Sequence, residues 1–242
     1  MSGVERGNFS ENDMTPEEWE KALESRAGEI IEPFEWEGKK GVVRYAKSGD
    51  AEGLLTIDRD RAEYRLKEYK KAILRTPGGG NESLKKSLEE PEKQVLIVLQ
   101  IEDEIVGYTT FGLPVDTEDW GEDTIQVFTT SVLQMKPEYK RINKEGEMRG
   151  YGFGEKLRKY AIRDAKNIFH AKYISSNVHN WNKPSLGLWK KLGSRPTGKE
   201  RPEIDGDGNQ VEVVDPKTEE KVKSVLIRMK GDLDEMISLQ KK

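Results

Sequence analysis

The 242-residue chain contains no cysteine. That excludes disulfides, thiolate zinc sites and a cysteine nucleophile. Histidine is nearly as scarce, with only two residues, His170 and His179. No run approaches the roughly 18 apolar residues that a membrane span requires, and the polar, charged start of the chain has no apolar stretch. These absences predict a cytoplasmic protein without a membrane partner. The net charge is −4, and the basic residues cluster only locally, which argues against a nucleic-acid partner. Charged residues make up 36% of the chain with both signs interleaved, the pattern of solvated faces. The nucleotide loop G-x-x-x-x-G-K-(S/T) is absent, and with it the lysine and hydroxyl that hold a triphosphate and its metal.

What is present reads as one α/β (α+β) domain with tails. Residues 1–14 form a polar leader, and Thr15-Pro16-Glu17-Glu18 starts a helix with the apolar side Trp19, Ala22 and Leu23. Phe34, Trp36, Val42, Val43 and Tyr45 around Gly38-Lys39-Lys40-Gly41 predict a hairpin or first strand pair. Ala62, Leu66, Tyr69, Ile73 and Leu74 predict a helix over 58–75, ended by Pro77-Gly78-Gly79-Gly80 and followed by a second helix over 81–90. The apolar runs 94–101 and 105–113, separated by Glu102-Asp103-Glu104, predict a buried antiparallel pair. After an acidic segment, including Glu122 and Asp123, a strand is predicted over 124–135. Leu157, Tyr160, Ala161, Ala165 and Ile168 form one helical stripe, with His170 as a C-terminal cap. A strand over 171–178, a helix over 184–192, closing strands over 210–214 and 222–230, and a ragged helix or tail complete the chain.

The run Arg149-Gly150-Tyr151-Gly152-Phe153-Gly154 lies between a strand and a helix. Closely spaced glycines let backbone amides converge, and the helix N-terminus behind them adds about half a positive charge. Such a turn suits a phosphate ester, a diphosphate above all. A dinucleotide-binding loop would place an acid at the end of the next strand, where Ser175, Ser176 and Asn177 stand instead. The segment Asp205-Gly206-Asp207-Gly208-Asn209 imitates a calcium loop, but Gln210 and Pro216 stand where that loop needs glycine and glutamate. A tight hairpin turn is expected there, and no metal.

Downstream, Asn182, Ser185, Trp189, Leu192 and Gly193 are spaced as N-x-x-S-x-x-x-W-x-x-L-G. With Arg149, Gly152 and Gly154 as R-x-x-G-x-G, this pair of blocks resembles the GCN5-related N-acetyltransferases (GNAT). The resemblance implies a mixed, mostly antiparallel central sheet flanked by helices, with core 58–232 after an N-terminal helix and first strands over 15–57, and a tail from 233. Its glycine loop joins the fourth strand and third helix of that fold. It implies acetyl-CoA as donor, with pantetheine paired to the main chain of Leu133, Gln134 and Met135, and an amide near Leu133 or Met135 serving the oxyanion. Arg149, Gly150, Tyr151, Gly152, Phe153 and Gly154 would hold the pyrophosphate, Phe153 through its backbone only. Asn182, Ser185 and Trp189 of the second block complete the coenzyme contacts.

Where many members carry a tyrosine that protonates the leaving thiolate, this chain has Trp189, and indole is no acid at neutral pH. Water or another hydroxyl, Ser185 being the candidate, must serve. His179, just past a strand, could act as general base on the amine or be a plain loop histidine, and Asn177 could orient substrate or a water. The tryptophan form resembles a fungal branch acting on small amines or imino acids. The expected reaction is acetyl transfer to a small-molecule amine. The alternatives are a catalytically weak acyl-CoA-binding protein, for which Trp189 speaks, or a protein lysine or N-terminal acetyltransferase. Homodimers are common in the family. The acceptor pocket is expected from the helices over 58–90 and a loop over 196–221, and the loop over 136–148 is longer than the family pattern.

Overall fold

The computed structural model describes residues 26–69, 94–112, 123–132, 140–142, 148–150, 152–205, 207–214 and 218–240. β1 (Ile30–Trp36) and β2 (Lys39–Tyr45) form a hairpin whose turn residues, Glu37 and Gly38, have φ of 49° and 77°. Two left-handed residues make the mirror-image turn that matches strand twist. A short 3-10 turn, Ser48–Asp50, leads into α1 (Ala51–Tyr69). Next come β3 (Gln94–Ile101), β4 (Glu104–Gly112) and β5 (Thr124–Val132). A ribbon of β6 (Lys140–Ile142) and β7 (Met148–Gly150) precedes α2 (Phe153–Asn167). The chain continues through β8 (Tyr173–His179), α3 (Lys183–Lys191), β9 (Arg195–Pro202), β10 (Glu212–Val214), β11 (Lys221–Lys223), β12 (Val225–Asp232) and α4 (Leu233–Gln240).

Eight strands make one sheet in the order β1-β2-β3-β4-β5-β8-β12-β9. Within it only β5 and β8 run parallel. β3 and β4 read as near-continuous apolar runs because both their faces are covered. Tyr108 of β4 donates to Asp58 of α1 at 2.6 Å, whereas Phe111, three residues on, meets Phe169 just past α2 at 6.1 Å between ring centroids. Alternating strand residues face opposite ways, so α1 and α2 lie on opposite faces. The stripe Leu157, Ala161 and Ala165 is fully buried beneath α2. Arg44 grips Asp50 with both ends of its guanidinium, at 2.7 and 2.8 Å, and so ties the entry of α1 to β2.

Several elements differ from the sequence-based expectation. α1 starts at Ala51 rather than 58, because Leu54 and Ile57 bury fully and Asp50 accepts from the backbone of Lys47 ahead of it. The predicted glycine break and second helix, and the helix begun at Thr15, lie outside the described residues. The long loop over 136–148 carries a ribbon, with Arg141 opposite Arg149. The expected acceptor loop after Pro196 contains β9, the edge strand of the main sheet. The strand expected over 210–214 does not close that sheet but pairs as β10 with β11. β9 escapes notice because Arg195-Pro196-Thr197-Gly198-Lys199-Glu200-Arg201-Pro202 is polar and exposed throughout, without alternation. The final segment is the helix α4, which buries Leu233 and Met236. The calcium-like segment is a tight turn in which Asp205 accepts from the amides of Asp207 and Asn209. No described helix is long and apolar enough to cross a membrane.

One buried polar pair ties the hairpin to α2: the Tyr45 hydroxyl donates to Asp164 at 2.8 Å. Burial, and then the Asp164 carboxylate, push the Tyr45 pKa from 10.0 up to about 12. The folded state holds this proton more tightly than the unfolded chain does. The contribution is therefore complete below the ordinary tyrosine value and lost as pH rises through about 12. Tyr45→Phe should cost about 1–2 kcal/mol at neutral pH. Its urea midpoint should then fall less than the parent's between neutral pH and pH 12, which parallel denaturation series would check.

Candidate functional site

The parallel register between β5 and β8 covers only Thr124↔Tyr173, Ile125↔Ile174 and Gln126↔Ser175. Next to it, the Ser176 hydroxyl donates to the Val127 carbonyl at 3.1 Å. No further β5–β8 pairing occurs among the described residues, although both strands continue, to Val132 and His179. At the same level β5 holds one extra residue against β4: Thr110 pairs with Thr129 and Phe111 with Val127, which leaves Phe128 as a bulge. A bulge bends its strand and raises its twist, which separates β5 from β8 beyond it. Where two strands part, backbone donors and acceptors face the gap and call for another extended chain. Leu133, Gln134 and Met135, expected to meet the coenzyme arm, lie outside the described residues.

α2 follows the ribbon in the chain. Arg149 and Gly150 close β7, Tyr151 lies outside the described residues, and Gly152 is the N-cap at φ 82°, ψ 7°. That left-handed position favours glycine, and no side chain caps the helix. A Cβ added at Gly152 or at Gly154 would meet nothing within 4 Å. Among the described residues, then, no side chain crowds the Cβ positions of Gly152 and Gly154, and no side chain caps the first turn of α2. Phe153 turns its ring inward, 5.9 Å from Trp36 and 6.5 Å from Phe34, so its side chain is core as the sequence implies.

The second block builds α3 and its contact with α2. Asn182 is the N-cap of α3, its side chain accepting from the Ser185 amide at 3.2 Å, and Pro184 sits in the first turn. Trp189 is 1% exposed. Its side chain belongs to the apolar core. Its ring lies under Arg158, 4.9 Å from the guanidinium carbon. Arg158 Nη2 donates to the Ser185 hydroxyl oxygen at 2.7 Å, and because arginine only donates, the hydroxyl proton of Ser185 stays available to another acceptor. Burial lowers the Arg158 pKa to about 10, and its Nε has no hydrogen-bond partner. Sequence reasoning passed over Arg158, although a cation next to Leu157 and three residues before Ala161 interrupts the apolar stripe. On the solvent side, Lys191 donates to Glu155 at 2.7 Å, holding α3 to the first turn of α2 and pulling the Glu155 carboxyl below its usual range.

His179 and Asn177 lie two residues apart on the part of β8 that has left β5, so they share one face. His179 is no loop histidine. Its ring stacks on Trp181 at 4.7 Å, and its Nδ1 lies 3.3 Å from Glu203 Oε2 and 3.4 Å from Ser224 Oγ. The Ser224 hydroxyl donates to Glu203 at 2.5 Å and accepts from Trp181 Nε1 at 2.8 Å. Asn180 clamps the strand end, donating to the Lys223 carbonyl and accepting from the Val225 amide. Ser185 belongs to the α2–α3 junction, bonded to Arg158 rather than to this cluster. His170, with φ 47°, takes the left-handed turn that ends α2. Asp123 serves a turn through its carbonyl, which accepts from the amides of Lys172 and Tyr173, and Glu122 lies outside the described residues. No group of three metal-ligating side chains occurs among the described residues.

Comparison with known proteins gives this geometry a family. No curated protein matches the sequence. Among solved structures, an N-acetyltransferase from Staphylococcus aureus Mu50 superposes with TM-score 0.54 at 16% identity, covering 80% of this chain and 98% of that one. The ribosomal-protein-alanine N-acetyltransferase of Brucella melitensis gives 0.53 at 18%, over 78% and 98%. The Salmonella typhimurium protein yncA, solved with its cofactor acetyl-CoA, gives 0.55 at 17%, over 80% and 94%. These distant likenesses establish the fold. Residues 64–194, more than half of the 242, match the model of the Acetyltransferase (GNAT) family. The chain belongs to that family: it is an acyltransferase whose acyl donor is acetyl-CoA.

Proposed function

We propose that the protein moves acetyl from acetyl-CoA to the amine of a small molecule in the cytoplasm. When bound, the coenzyme supplies an acetyl group already activated as a thioester. The amides from Gly152 to Gly154 would take its diphosphate, with Arg149, Gly150 and Tyr151 leading into that cradle. The main chain of β5 and of Leu133, Gln134 and Met135 would pair with its arm, one amide there facing the carbonyl oxygen. Asn182 and Ser185 border the same channel at the start of α3.

The observation that carries the proposal is the placement of His179 and Asn177 on one face of β8, beyond its last pair with β5. A neutral imidazole there accepts the proton that the amine loses as it attacks, and Asn177 orients the amine or a water. The hydroxyl of Ser185, held by its bond from Arg158, could relay a proton to the departing sulfur, taking one from water on its own oxygen as it does so. The ribbon β10–β11 packs on Trp181 through Val213 and Val222, and in this proposal it borders the acceptor side of His179. Trp181 in turn stacks on the imidazole.

Gly154→Leu should keep the fold, since a Cβ at that position meets nothing within 4 Å among the described residues. It should also weaken acetyl-CoA binding roughly 100-fold, about 2.7 kcal/mol, by calorimetry. Unchanged affinity would refute the cradle. Free-thiol release, followed without background in a cysteine-free chain, should appear with members of a small-amine panel and not with lysine or N-terminal peptides. His179→Ala is expected to lower kcat roughly 100- to 10,000-fold while acetyl-CoA still raises the melting temperature. A protein that only held the coenzyme would show that melting shift with no turnover on any amine.

A further inference from the structure

The cluster around Ser224 fixes which nitrogen of His179 carries a proton. A serine hydroxyl has one hydrogen and two lone pairs, an indole N–H can only donate, and an ionised carboxylate can only accept. The single hydrogen of Ser224 is committed to Glu203 at 2.5 Å, and Trp181 Nε1 occupies one lone pair at 2.8 Å. Nδ1 of His179 faces the second lone pair at 3.4 Å and Glu203 Oε2 at 3.3 Å, and both are acceptors. An unprotonated Nδ1 would set its lone pair against two others. Nδ1 must therefore hold the hydrogen, which leaves Nε2 as the basic nitrogen of the neutral ring.

We infer that Glu203 is a positioning residue for acetyl transfer: through Nδ1 it fixes the tautomer and ring plane of His179, and its charge favours the imidazolium that forms when Nε2 accepts a proton. Ser224 is the hub that holds Glu203 in place. It is fully buried, and it bonds the carboxylate and the indole at once. Because Ser224 and Glu203 both meet the same ring nitrogen, the three residues are not a nucleophilic relay, in which the imidazole would bridge a hydroxyl on one nitrogen and an acid on the other. The inference rests on the assignment of His179 as general base.

Other charged groups approach the ring from neighbouring strands. His179 pairs with Leu226 of β12, which pairs on its other side with the exposed Arg201 of β9, two strands away. Arg228 of β12 stands opposite Asn177, and Lys223 of β11 precedes Ser224 with its side chain exposed. Glu203 contacts the ring directly, so its charge dominates over cations a strand or more away.

The test combines kinetics with the tautomer itself. In Glu203→Gln the acidic limb of the kcat/KM profile should move about one pH unit lower and plateau kcat should fall roughly tenfold, because the neutral amide no longer favours the imidazolium. Glu203→Asp should restore most of the limb position, and acetyl-CoA affinity should not change in either variant. With two histidines in the chain, and His170→Gln to assign them, nitrogen shifts of the unsubstituted protein should show His179 protonated at Nδ1. A proton on Nε2 overturns the inference even if the Glu203 variants fail to fold. An unmoved acidic limb in folded Glu203→Gln also overturns it, provided that His179→Ala has lost activity. If His179→Ala keeps full activity, the general-base assignment falls first and takes this role with it.

Discussion

The structure turns on a sheet that stops being a sheet partway along two neighbouring strands. β5 and β8 share three parallel pairs and then separate, helped by the extra residue at Phe128. Backbone groups along the parted edges do not pair with one another among the described residues, and it is there that the proposed function seats the extended arm of the coenzyme. The rest of the molecule serves that gap. β8 carries an asparagine and a histidine along the stretch that has no β5 partner among the described residues.

Rigidity on either side comes from buried polar links rather than from apolar packing alone. Arg44 with Asp50, and Tyr45 with Asp164, lock the hairpin to α1 and α2, and a partly exposed pair, Lys156 with Glu32 at 2.7 Å, adds to them at the first turn of α2. Arg158 is a different case, a guanidinium kept from water with Trp189 and Ser185 as partners and one nitrogen without a hydrogen bond. Such a group raises the cost of closing the α2–α3 junction, and its positive field adds to that of the two helix starts beside it.

Much of this was legible in the sequence wherever one local rule dominated. The double-sided apolar runs of β3 and β4, the stripe of α2 and the glycine turn each declare themselves within a dozen residues. The hidden parts depend on partners distant in the chain. β9 is polar and exposed, so nothing in its own letters marks it as a strand; it exists because β12 offers an edge. Glu203 and Ser224 are separated by 21 positions, and Ser224 and His179 by 45, with no periodicity to join them. His179 could thus be singled out by its chemistry, yet the carboxylate beside it could not. Trp189 was visible as a departure from the family tyrosine, but not its burial, because the arginine covering it lies in another helix.

The outermost position of β9 also bears on how the molecule behaves in a crowd. Its free side would template pairing by any stray extended segment, but a proline stands at each end of it, at 196 and 202, and arginine, lysine and glutamate stand between. Each proline withholds an amide hydrogen, and each charge resists losing its hydration to an incoming chain. At its β9 end, therefore, the sheet has a border hostile to fibrous growth.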